Sequence, residues 1–513
     1  ITGGSGADTL TGGTGVDSIT GGSGADSLTG NAGNDKLFGG AGADTLVTGA
    51  GSDSVEGGAG NDTITLSTNL SSGDTISGGD GTDTLSMTIA TTIGATISDV
   101  ETYNVTFNTG GALNASGITN SSAINMIAGT TTAATITNLA TGATIVNGTS
   151  DQDAETITLD TVAGASLTVK LDDEATGALT ITDAASVTIS AADATETASV
   201  GSTVLDSSDT TSLTIIGSEN AFALDVGAIT GNNNLETITI TTDTSSGAVT
   251  VGDVTDVGDM TSISLTSSAA NIVFNTAADI GADADSSEGE SLAAVTLSAT
   301  NSTIDFGYGQ TIFHDSVTDS TTDLTVTYTI TTATSGTVNS GAIDNTYGIT
   351  TVDASENNGT AMDIDSITTA SIGSITLAGS GTFDIGGITT TSSTAYTIDA
   401  TQASGTVALV LTGSNSAVTV NTGTGLATIT TIGDESLKTT ITLGSGNEVA
   451  DQIIANAVLG DVVIKNFEYD AADDAIDLSS GGLAGRGTGA GADALQSLSG
   501  VAVTTATVVL QST

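Results

Sequence analysis

The chain has 513 residues, of which 59 are acidic and 5 basic, giving a formal charge of −54. That balance excludes a nucleic-acid partner, because phosphate binding needs clustered Lys and Arg, and it repels anionic membrane surfaces. Salt bridges cannot balance the carboxylates, so water, salt or bound cations must; no membrane insertion is expected either, since no apolar run approaches the ~20 residues of a spanning helix.

The first predicted unit covers residues 1–86. Seven nonapeptides run without a gap from Gly3, Gly12, Gly21, Gly30, Gly39, Thr48 and Gly57, and an eighth starts at Gly78 after a twelve-residue insertion at 66–77. Their form is G-G-x-G-x-D-x-U-x, with U aliphatic. The sixth position holds Asp8, Asp17, Asp26, Asp35, Asp44, Asp53, Asp62 and Asp83; the eighth holds Leu10, Ile19, Leu28, Leu37, Leu46, Val55, Ile64 and Leu85. Each repeat divides into a six-residue turn and a three-residue strand. Glycine permits positive φ and close backbone approach, so turn carbonyls and the Asp carboxylate can converge. All-oxygen ligation selects a hard cation, and flexible carbonyl-rich sites prefer Ca²⁺ to Mg²⁺. Carboxylates stacked at the strand spacing of ~5 Å repel by about 3 kcal/mol at an effective dielectric of 20. The aspartates are therefore read as calcium ligands, and folding is expected to depend on calcium.

These repeats resemble the hemolysin-type calcium-binding repeats of the repeats-in-toxin (RTX) family, exported by type I secretion from Gram-negative bacteria. The resemblance implies a parallel β-roll with two nonapeptides per turn and calcium held between turns. Carried onto this chain, it pairs Asp8 with Asp26, Asp17 with Asp35, Asp26 with Asp44, Asp35 with Asp53, and Asp44 with Asp62.

Residues 87–440 follow as a Thr/Ala/Gly-rich region. Segments such as SLTVKL (166–171), ALTITD (178–183), SLTIIG (212–217) and AAVTLS (293–298) alternate Thr or Ser with an aliphatic residue, the period of a strand with one wet face. There is no Pro and no Trp, and aromatic content is 3%. Ile, Val, Leu, Ala and Thr methyls suit thin stacked strands better than a thick globular core. The expected fold is all-β: a calcium-bound parallel β-roll followed by a long parallel β-solenoid or β-helix-like region. The only candidate helix is a short piece near 447–457.

Residues 441–513 change character. LGSGNE (443–448) reads as a decayed nonapeptide with Glu448 in the aspartate slot. DVVIKNFEYDAADDAIDLSS (461–480) resembles the region that follows the roll in the same family, with Phe467, Ile476 and Leu478 expected to be buried. That likeness implies a C-terminal type I secretion signal. It accords with the absence of cysteine and of an N-terminal secretory signal. The repeat is in phase by residue 3 of a chain that starts at Ile1, so an upstream segment is expected.

Catalytic constellations are not found. His314 is the only histidine, which rules out a paired-histidine zinc motif, and there is no G-x-S-x-G. Sugar clefts use aromatic platforms, and eight Phe, six Tyr and no Trp supply few. No enzyme is expected. Asp283 and Asp285, with Glu288 and Glu290, have alternating ligand spacing and are offered as a further calcium site. Asp253/Asp256/Asp259, Asp470/Asp473/Asp474, Asp151/Asp153/Glu155 and Asp172/Asp173/Glu174 are weaker clusters.

In composition and layout the chain is also similar to bacterial surface-layer (S-layer) proteins secreted by this route. That likeness implies a self-assembling, calcium-dependent lattice protein on a Gram-negative cell surface. Its partners would be copies of itself, calcium ions and, through an upstream domain, lipopolysaccharide. The alternative is a secreted RTX adhesin, biofilm-matrix or filament protein.

Overall fold

Alternating Thr and aliphatic residues send one side chain inward and the next outward, and a chain with no Pro leaves every strand N–H free to donate. Both consequences are visible in the computed structural model. It describes residues 1–477 except 67–69, 90–94, 108–110, 120–122, 128–132, 149–154, 172–174, 192–196, 207–208, 218–222, 233, 244–246, 256–259, 275–279, 283–291, 307–310, 314–324, 413–415, 433–438, 445–450, 457–461 and 466–474, together with 508–511. The chain divides into two compact units, Ile1–Asn234 and Leu235–Thr513. Each is a stack of parallel strands, and the described residues include a single 3-10 turn, Ala115–Gly117.

In the first unit the nonapeptides coil into two facing parallel sheets. One holds β1 (Thr2–Ser5), β3 (Ser18–Ser23), β5 (Lys36–Ala41), β7 (Ser54–Ala59), β9 (Thr75–Asp80) and β11 (Thr96–Ser98). The other begins with β2 (Thr9–Thr11), β4 (Ser27–Ala32), β6 (Thr45–Ala50), β8 (Thr63–Leu66), β10 (Thr84–Ile89) and β12 (Thr102–Phe107). Register partners are two nonapeptides apart, as in Thr2↔Thr20 and Leu28↔Leu46. The repeat aliphatics fill the space between the sheets: Ile19, Leu28, Leu37, Leu46 and Ile64 are fully buried.

The stack does not break at residue 86. Leu85 pairs with Tyr103, Tyr103 with Ile124, Ile124 with Ile145, Ile145 with Val169, Val169 with Ile189, and Ile189 with Ile215. One buried column thus runs from the repeats through the Thr-rich strands. What changes is the turn length. Strands such as Glu155–Leu171 carry two sheet segments joined by a corner, marked by a register shift between Asp160 and Ala165 and by Gly164 at φ 76°.

The second unit repeats this logic without nonapeptides. Ile238, Ile263, Val295, Tyr328, Val352, Ile375, Ile398, Val420, Ile441 and Ile464 form one column of register partners, all buried. The helix considered near 447–457 is not formed where the chain is described: Gln452–Asn456 is a strand paired with Ala427–Ile432. Its Ile453 continues a core column, and stacking overrides the local preference.

Candidate metal centre

The aspartates stand at the corner where each turn enters its strand. Their main-chain carbonyls accept from the strand one turn on, as in Ser27 N–H to the Asp8 carbonyl at 2.8 Å. Their carboxylates lace successive turns together. The N–H of Asp8 donates to Asp26 Oδ1 at 2.8 Å, Asp17 to Asp35 at 2.9 Å, Asp26 to Asp44 at 2.8 Å, Asp35 to Asp53 at 2.8 Å, and Asp44 to Asp62 at 2.8 Å. These are the five pairs that the family resemblance implies.

The ladder goes further than the repeats predict. Asp53 N–H donates to Asp74 at 2.8 Å, Asp62 N–H to Asp83 at 2.7 Å, and Asp83 N–H to Glu101 Oε2 at 2.8 Å. One edge of the roll therefore carries Asp8, Asp26, Asp44, Asp62, Asp83 and Glu101. The opposite edge carries Asp17, Asp35, Asp53 and Asp74. Asp74 lies inside the segment read from sequence as an insertion, and Glu101 lies beyond the last nonapeptide. The signal that could have found both is the triplet acid-x-apolar, here Asp74-Thr75-Ile76 and Glu101-Thr102-Tyr103, with Ile76 and Tyr103 buried.

The second carboxylate oxygen is the informative one. Oδ2 of Asp26, Asp35, Asp44, Asp62 and Asp83 is buried and without a hydrogen bond. A buried, unpartnered carboxylate oxygen is costly unless something positive faces it. The first glycine of a repeat, present in all but the sixth, makes the room. A methyl group built on Gly39 would lie 2.5 Å from Asp44 Oδ2 and 2.5 Å from the Gly57 carbonyl oxygen. On Gly12 the same positions are 2.7 Å from Asp17 Oδ2 and 2.8 Å from the Gly30 carbonyl. Carboxylate and carbonyl oxygens converge around a space that glycine leaves open in seven of the eight repeats; repeat six holds the buried Thr48 at that position. Among the described residues no three acidic or histidine side chains make a cage of their own. The donors in the roll are one carboxylate per rung plus main-chain oxygens, a set that fits a hard divalent cation.

Electrostatics agree with the geometry. Burial raises the carboxyls of Asp44, Asp53 and Asp83 above the usual carboxylate range, and neighbouring rungs add to the rise. Asp62 is pushed up to about 6 by burial, with Asp83 and Asp44 contributing, against a lowering from the Asp44 N–H. Because these pKa values are raised by folding, ionisation penalises the metal-free roll as pH rises from the ordinary value of 3.8 to about 6. Calcium must displace those protons. Calcium affinity is therefore expected to fall as pH drops through about 6, with protons released on binding near that pH. Calorimetry at pH 7.5 and pH 5 in buffers of different ionisation enthalpy checks this; equal affinity and no proton release would contradict it.

The remaining sequence candidates fall elsewhere. Asp283, Asp285, Glu288, Glu290, His314, Glu448, Asp256, Asp259, Asp470, Asp473, Asp474, Asp151, Asp153, Asp172, Asp173 and Glu174 lie outside the described residues, as do Phe467, Leu478 and the side chains of Glu155 and Ile476. Asp253 is exposed. Near the decayed repeat, Asp451 is a described residue in a roll-like position. It is buried, its Oδ1 accepts the Ala427 N–H at 2.8 Å, and Ile453 follows it into the core. The rung before it offers Ala427 in place of an acid.

Fold and site together define a calcium-binding parallel β-roll continued by parallel β-solenoid strands. The sequence matches the RTX calcium-binding nonapeptide repeat family over residues 2–37, 38–67 and 71–86. The chain is thus an RTX calcium-binding protein through this segment, and its cation is Ca²⁺. The third matched stretch takes in Asp74 as well as Asp83. No curated protein and no solved structure matches the chain. Proteins with these repeats are typically secreted. Among the described residues no helix is long and apolar enough to cross a membrane.

Proposed function

We propose that the chain is a secreted structural protein, without enzymatic activity, that assembles with copies of itself into a calcium-dependent surface layer on a Gram-negative cell. The observation that carries this reading is the unbroken core column from Leu28 to Ile215. The calcium roll is the first part of a long scaffold rather than a tethered module, so loading it with calcium sets the stack that follows. The charge of −54 supplies the switch. It keeps the metal-free chain soluble and makes copies repel, until divalent cations screen or bridge their carboxylates. Residues 441–513 would direct type I export of the unfolded chain, and contact with lipopolysaccharide would anchor the layer.

Electron microscopy of the purified protein at matched ionic strength, with millimolar calcium and with excess chelator, tests the proposal. Sheets that form with calcium and dissolve with chelator are expected. Folded single particles at every concentration would sink the lattice and favour a secreted adhesin; fibres would favour a filament subunit.

A further inference from the structure

We propose that the cation column extends one turn past the last nonapeptide and ends at a divalent-cation site formed by Asp83, the main chain of Asp99 and the carboxylate of Glu101. Neither Asp99 nor Glu101 belongs to a repeat, and the family match ends at residue 86. The inference stands whether or not the protein assembles into a layer.

Three observations carry it. Glu101 Oε2 accepts the Asp83 N–H at 2.8 Å, the same bond that each roll aspartate makes to the rung before it. The Asp99 carbonyl takes the place of a first-glycine carbonyl. A methyl group built on Gly78 would collide with it and lie 2.5 Å from Asp83 Oδ2, which is the arrangement Gly39 has with Gly57 and Asp44. Asp83 is fully buried, and its Oδ2, beside that carbonyl, has no hydrogen-bond partner. The oxygen set of a roll site is therefore repeated, with glutamate in the last aspartate's place.

The other edge of the roll shows what a closed end looks like. Asp74 Oδ2 is taken by the Ser71 N–H at 2.7 Å, and the Ser71 hydroxyl donates to Oδ1 at 3.1 Å. The protein caps that column with its own donors and leaves the Asp83 column open. Among the described residues of the first unit, no basic side chain is placed to close it. Lys36 and Lys170 are the only basic residues before Asn234; Lys36 stands opposite Ser18 and Ser54, and Lys170 opposite Val146 and Ser190. An oxygen-only site with net negative charge takes a hard divalent cation, calcium in a calcium-loaded chain. A cation there would pin β12, the strand that follows Glu101, to the end of the roll.

The test is Glu101→Gln in the full chain. Gln keeps an oxygen that can accept the Asp83 N–H, so a plain hydrogen-bond cap survives the change while a charged ligand is lost. Bound calcium is counted by equilibrium dialysis and elemental analysis, with exposed Glu56→Gln as control. The expected result is one calcium fewer per chain in Glu101→Gln and none fewer in Glu56→Gln. Terbium gives a second readout, because Tyr103 is the only tyrosine before Asn234 and lies two residues from Glu101. In a terbium-loaded chain, emission sensitised through tyrosine should fall with Glu101→Gln and with Tyr103→Phe, while Tyr103→Phe keeps the full calcium count. An unchanged count in Glu101→Gln, or no emission sensitised through Tyr103 in the unmodified chain, would overturn the site. Loss of all roll calcium in Glu101→Gln would overturn it too, by making Glu101 a lock on the fold rather than the ligand of one ion.

Discussion

Chelating calcium is expected to raise amide exchange across residues 18–107 by about 10²-fold or more, while the strands between 342 and 412 keep their protection. The first group hangs on the aspartate ladder: the N–H groups of Asp26, Asp44 and Asp62 are held by carboxylates of the next rung. Without cations those carboxylates face one another across a strand spacing of ~4.8 Å, and each neighbouring pair repels by about 3 kcal/mol at an effective dielectric of 20. A loss of that size in local opening free energy corresponds to a factor of about 10² in exchange. Strands Thr382–Thr390 and Val407–Thr412 carry one facing acid pair, Asp363 opposite Asp384, and hang mainly on apolar packing. Their core is Phe383, Ile385, Ile388, Val407 and Leu409, all buried and apolar. Hydrogen-exchange mass spectrometry with calcium and with chelator separates the two groups. Equal protection of the roll in both conditions would show that the carboxylate stack tolerates its own charge and needs no ion.

Gly39→Ala should disable the roll far more than Gly15→Ala, although the two glycines occupy the same kind of repeat. At Gly39 the new methyl would be 2.5 Å from both Asp44 Oδ2 and the Gly57 carbonyl oxygen. It would fill the space where oxygens converge, and overpacking of this kind costs ~1–3 kcal/mol before any lost ligation is counted. At Gly15 a methyl meets nothing within 4 Å, and its φ is not among the positive ones. That change should stay within about 0.5 kcal/mol. The expected readout for Gly39→Ala is a calcium affinity at least tenfold weaker at the adjoining sites and a lower thermal midpoint in calcium. Gly15→Ala should match the unmodified chain in both. Near-identical behaviour of the two variants would mean that the cation sits away from the first-glycine cradle.

These effects were foreseeable to different degrees. The nine-residue period set the roll, the two-per-turn geometry implied by the family likeness and the identity of eight aspartates, because the repeat is local: a fixed spacing puts Asp8, Asp17 and Asp26 in equivalent corners whatever follows them. The alternation of Thr with Ile, Val or Leu likewise set the strands of the Thr-rich region, since side chains on a strand have a strict period of two. An acid-x-apolar triplet, by contrast, occurs in many places in so acidic a chain, and only stacking selects among them. Asp74, Glu101 and Asp451 were missed for this reason. Each follows a corner of irregular length, so counting along the sequence loses the phase. The stack restores it, by pairing Ile76 with Val55, Tyr103 with Leu85 and Gln452 with Thr428.

The boundary at residue 86 is the clearest case. The sequence marks it sharply, because the in-register nonapeptide ends there. The tertiary structure carries Leu85 onto Tyr103 and on to Ile215 without interruption. By itself, then, the sequence determined what the rungs are made of and which cation they take. The tertiary structure decided which acids stand on a rung and where the ladder ends. Main-chain hydrogen bonds between turns and the close packing of one aliphatic on the next fix register across gaps that sequence spacing does not measure.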